Sequence, residues 1–145
     1  MAVDSRHGWQ STGLFVEQGA TVAVTYRSGT WTIDRRRLGE TPFVDSGGYS
    51  PGAHPIVYDP TKPSEDFTLG CRILENADHG ILIARVGSGE VVPIGKARSL
   101  TSAVEGELAL SINDEQCTGG DGADCDSGCS SDNEGSITVS VAIDR

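Results

Sequence analysis

Positive charge is scarce in this chain: 11 Lys and Arg stand against 21 Asp and Glu, for a net charge of -10 over 145 residues. Phosphates and anionic lipid surfaces are held by Lys and Arg, so the balance argues against a nucleic-acid partner. No apolar run approaches the roughly 20 residues that span a bilayer, which predicts no membrane insertion. The opening Met1-Ala-Val-Asp-Ser-Arg-His7 lacks the apolar segment of a classical secretory signal. Location is thereby left open between the cytoplasm and export by a non-classical route. Methionine occurs once, and Ala, Leu, Glu and Lys do not dominate, so helical bundles and coiled coils fit poorly. Catalytic signatures are missing as well: there is no nucleophile elbow, no H-E-x-x-H, no P-loop and no G-x-G-x-x-G. His7, His54 and His79 have no nucleophile at a telling spacing. Among 21 acids, a carboxylate pair such as Asp114 and Asp132 carries almost no signal for glycoside hydrolysis. The expectation is a protein that is not an enzyme.

What the sequence does contain is period-two hydrophobicity. Ile137, Val139, Val141 and Ile143 alternate with Thr138, Ser140 and Ala142, and Leu108, Leu110 and Ile112 alternate with Ala109 and Ser111. Val22 and Val24 repeat the pattern between Thr21, Ala23 and Thr25. Each reads as a strand with one face on a core. Shorter apolar runs at Gly13–Val16, Gly80–Val86 and Val91–Ile94 add candidates. Breakers separate them, among them Gly19, Ser28-Gly29, Ser46-Gly47-Gly48 and Gly87-Ser88-Gly89. Many short strands between turns, with no amphipathic helix, predict an all-β fold, an antiparallel β-sandwich. No linker divides the chain, so residues 1–145 read as one domain with an inserted acidic, cysteine-bearing loop at 115–131. Residues 34–66 are the least regular part and read as surface loops, where binding groups sit.

Acidity is concentrated. Between Asn113 and Glu134 lie seven carboxylates and no Lys or Arg, which leaves 14 acids against 11 bases elsewhere. The stretch is either a solvated loop or a site for a hard cation, since Ca²⁺ takes six to eight oxygen ligands. Cys117, Cys125 and Cys129 fall inside it, and Cys71 stands apart as a small buried residue. A local disulfide, free thiols and zinc are the readings; the spacings make zinc the weakest. Neither familiar calcium loop fits. Gly119-Gly120-Asp121-Gly122-Ala123-Asp124 starts a calcium nonapeptide, but Asp126 stands where an apolar residue belongs. Asp124-x-Asp126-x-Gly128 lacks the third acid, the glycine and the closing Glu of an EF-hand. Another arrangement survives. Asn113-Asp114 ends one strong strand and Asp132-Asn133-x-Gly135 opens the next, so Asp114, Asp132, Asn133 and a hydroxyl such as Thr118 are placed to share a cation. The competing reading is that Asp and Asn simply favour turns.

These residues resemble a known series. Thr12-Gly13-x-x-Val16-x-x-Gly19-x-x-Val22-x-Val24 is followed by Gly29-x-Trp31, then His54-Pro55, then Gly80-x-Leu82-Ile83-x-x-Val86-Gly87. Gly106-x-Leu108-x-Leu110-x-Ile112-Asn113-Asp114 and Asp132-Asn133-x-Gly135-Ser136-x-Thr138-Val139 close it. Over about Thr12 to Ile143 the chain resembles the galactophilic lectins of the PA-IL type, small bacterial β-sandwich proteins that bind galactose through calcium. The resemblance implies a galactose-binding-domain-like jelly roll. It implies that Asp114 bridges metal and sugar, that Thr118 contacts both, and that Asp132 and Asn133 complete the site. A backbone carbonyl after Trp31, at Asp34 or its neighbour Ile33, is implied as a further calcium ligand, and His54 as a contact to a sugar hydroxyl. Asp132 is also implied as a sugar contact. The sequence differs from the family where His-Pro-x-Gln becomes His54-Pro55-Ile56-Val57, removing an amide, and where Asp132 replaces an Asn, adding a charge. Its 115–131 loop is also much longer.

The expected function is therefore calcium-dependent binding of galactose-type sugars or glycans. The alternative is a calcium-stabilised β-sandwich that meets a protein partner through the long acidic loop. One monosaccharide buries little area, so binding per site is weak and a homo-oligomer would add avidity. Trp31, beside a strand, reads as packing rather than a sugar platform, and Trp9 as either. Arg35-Arg36-Arg37 reads as a solvated edge or a partner for the acidic loop.

Overall fold

A computed structural model describes residues 1–32, 43–49, 73–74, 77–78, 80–114 and 133–144. Eight strands run in chain order: β1 (Ala2–Asp4), β2 (Gln10–Val16), β3 (Thr21–Thr32), β4 (Leu82–Val86), β5 (Val92–Pro93), β6 (Ala97–Thr101), β7 (Gly106–Ile112) and β8 (Glu134–Asp144). They form two four-stranded antiparallel sheets, ordered β1-β8-β3-β6 and β2-β7-β4-β5. The pairing has a simple logic. β1 pairs with β8, β2 with β7, β3 with β6 and β4 with β5, so the chain makes one long ribbon whose tip is the β4–β5 turn. That ribbon rolls up when β3 also pairs with β8 and β4 with β7. The product is a jelly roll, which pairs most strand edges internally.

The alternation read from the sequence becomes the core. Val22, Val24, Ile137 and Val139 of one sheet are buried against Leu108, Leu110 and Ile112 of β7 and Leu82, Ala84 and Val86 of β4 in the other. Burying each large apolar side chain contributes about 1.5–3 kcal/mol before entropy is subtracted. Trp31 is fully buried within the same cluster, so it is a packing residue and not a sugar platform. Trp9 instead lies beside Arg85, whose guanidinium carbon is 4.3 Å from the ring centroid.

The sheet edges are β1 and β6 in one sheet and β2 and β5 in the other, and the β5 and β6 edges face each other. Arg98 on β6 reaches across to donate to the Pro93 carbonyl on β5 at 2.8 Å. A charged side chain and a proline on facing edges discourage pairing with another chain.

Candidate functional site

One end of the sandwich gathers the termini of β3, β7 and β8. Gly80 is the node. Its N–H donates to the Asn113 carbonyl at 2.9 Å, and its own carbonyl accepts from Trp31 Nε1 at 2.9 Å. Trp31 pairs with Gly135 in the β3–β8 ladder, so the start of β8 and the end of β7 lie at the same end of the sandwich, in different sheets. Tyr49 closes the group by donating its hydroxyl to Thr32 Oγ1 at 3.1 Å.

Asn113 and Asp114, adjacent in sequence, have divided their work. The Asn113 amide is consumed by Leu74 and Asp78: Nδ2 donates to the carbonyls of both, each at 3.0 Å, and Oδ1 accepts from Leu74 N at 2.8 Å. Buried polar groups of this kind fix one conformation because every donor and acceptor is matched. Asp114 follows directly, with its N–H donating to the Ile112 carbonyl at 3.0 Å, and is only 6% exposed.

Asn133 precedes β8 and is fully buried. Its Nδ2 donates to the Ser5 carbonyl at 2.9 Å. A carbonyl only accepts, so this bond fixes which end of the amide faces Ser5 and turns Oδ1 the other way. Oδ1 is buried and receives no hydrogen bond among the described residues. Ser5 is itself pinned, since its N–H and Oγ both donate to the Gly135 carbonyl, at 3.1 and 2.8 Å. Nothing in the sequence pointed to Ser5 as the residue that orients Asn133.

A buried amide oxygen without a donor suits a hard cation, which takes carboxylate and amide oxygens alike. Among the described residues there is no cluster of three His, Cys, Asp or Glu side chains, so a complete carboxylate cage is not found there. Of the residues expected at the site, Asp114 and Asn133 lie at this end. Asp34, His54, Thr118 and Asp132 fall outside the described residues, as do Cys71, Cys117, Cys125 and Cys129.

Neither a scan against protein-family models nor a search of curated proteins returns a match. Among solved structures, the chain is similar to the EclA N-terminal domain, described as a PllA-like lectin. The two superpose with a TM-score of 0.59 at 18% identity, over 99% of this chain and 94% of that one. The likeness shows the fold. It covers nearly the whole jelly roll, and at that identity it carries the path of the backbone and not the identity of site residues.

Proposed function

We propose that this chain is a calcium-dependent carbohydrate-binding protein whose ligand is a galactose-type sugar, as in the PA-IL-type lectins it resembles. The observation that carries the reading is the Asn133 amide oxygen, buried, fixed in direction and without a donor among the described residues, at the same end as the buried Asp114. The fold shared with a PllA-like lectin domain supports it. Asp114 and Asn133 would hold the ion from the end of β7 and the start of β8, with Asp132, the Thr118 hydroxyl and the Asp34 carbonyl as further ligands. Calcium, when bound, supplies positions for two vicinal sugar hydroxyls. The carboxylates that neutralise it accept the hydroxyl protons as charge-assisted hydrogen bonds, which selects hydroxyl pairs of one geometry. His54 would orient the sugar from a third side.

Asp114→Ala tests the reading. The variant should lose both the rise in melting temperature on adding calcium and all sugar affinity. Sugar affinity equal to that of the native chain would contradict the assignment.

A further inference from the structure

Five large apolar side chains are exposed among the described residues: Met1, Leu14, Phe15, Phe43 and Val104. Phe15 pairs with Glu107 next to the Val16–Gly106 pair, so Leu14, Phe15 and Val104 lie toward the end of the sandwich where β7 begins. Phe43 is different: it stands at the Asn133 end. Its neighbour Val44 forms a two-way bridge with Trp31, N–H to carbonyl at 2.9 and 2.8 Å. The ring then reaches Gly135 on β8. A Cβ placed on Gly135 would come within 3.3 Å of Phe43 Cε2 and would collide with the Thr30 carbonyl. With φ at +94°, Gly135 is both the conformation and the bare surface that this seat requires. Phe43 is thus held on one side by backbone and remains 40% exposed, an aromatic ring in water that contributes little to the core.

We propose that Phe43 is a stacking platform for the sugar unit attached to the one held by calcium, an inference that rests on the lectin reading above. Gly135 is two residues beyond Asn133, which is about 6–7 Å along a strand, roughly the step from one pyranose to the next. Calcium and its carboxylates take the hydroxyl edge of the first sugar. The neighbouring unit then presents its C–H face, whose partial positive charge matches the negative face of an aromatic ring. Because the Val44 bridge holds the adjoining backbone and the ring rests against Gly135, less entropy is lost when a sugar covers it.

Calorimetry on the full, calcium-loaded chain with galactose and with lactose tests the platform. Phe43→Ala should weaken lactose binding about threefold to tenfold while leaving galactose within about twofold, the range expected for one aromatic contact. Phe43→Trp should restore lactose affinity, and Phe43→Leu, apolar but not aromatic, should not. Lactose affinity unchanged in Phe43→Ala would overturn the platform, and so would an equal loss for both sugars. Absence of chelator-sensitive galactose binding by the native chain, a separate result, would overturn the lectin reading and this subsite with it.

Discussion

Changing Asn133 to Asp separates the two jobs this side chain performs. Its Nδ2 donates to the Ser5 carbonyl at 2.9 Å, and its Oδ1 is buried with no hydrogen-bond donor among the described residues. Aspartate keeps the shape but puts an oxygen against the Ser5 carbonyl. Leaving that acceptor unsatisfied costs about 1–3 kcal/mol, and repulsion between the carboxylate and the carbonyl adds to it. For a chain of this size each kcal/mol moves the melting temperature by about 2–4 °C, so the metal-free variant should melt about 2–12 °C below the native chain. Calcium should act in the opposite direction. A charged oxygen is a better ligand for a hard cation than a neutral amide, so the rise on adding calcium should be larger in the variant. A site tightened tenfold adds about 1.4 kcal/mol at saturating calcium, a further 3–6 °C or so. Thermal melts of both proteins in EDTA and in one saturating calcium concentration measure both effects. Equal melting in EDTA would refute the role given to the Ser5 bond. A calcium response that shrinks in the variant while persisting in the native chain would refute the placement of Asn133 Oδ1 on the ion.

Two further outcomes follow from described contacts. Trp31→Phe removes the donor to the Gly80 carbonyl and leaves a void in a fully buried position, a loss of about 2–4 kcal/mol in a urea melt; an unchanged midpoint would contradict it. Asp4 accepts hydrogen bonds from the Arg6 side chain and backbone, which hold its carboxyl below the usual carboxylate range. Because folding lowers this pKa, the stabilisation is present at neutral pH and is lost as pH falls through the folded value, beneath the usual carboxylate range. Asp4→Asn should therefore be less stable than the native chain at pH 7, with the gap closing in acid. A gap that stays constant down to about pH 2 would contradict the linkage.

Much of the fold was legible because β3, β7 and β8 alternate buried apolar residues with less buried ones over part of their length. The Leu108-Leu110-Ile112 and Ile137-Val139 alternations mark β7 and β8, and the antiparallel sandwich follows from such elements joined by turns such as Ser46-Gly47-Gly48. β1 and β6 were not anticipated. β6 (Ala97–Thr101) is an edge strand, mostly exposed, and its sequence carries almost no apolar signal. Ser28-Gly29, read as a break, lies inside β3: a bulge between Tyr26 and Ser28 shifts the register, and Gly29 at φ +94° lets the strand run on to Thr32. At the site, Asp114 and Asn133 were recognisable as oxygen-bearing residues at the ends of two strong strands. Ser5, Gly80 and Phe43 were not, because their roles come from contacts between segments far apart in the chain.

The most direct test of the account is a calorimetric titration of galactose into the calcium-loaded chain, repeated after EDTA. The account predicts weak, saturable binding that disappears with the chelator and returns when calcium is restored. Galactose binding that survives complete removal of calcium, or no binding in either state, would contradict it.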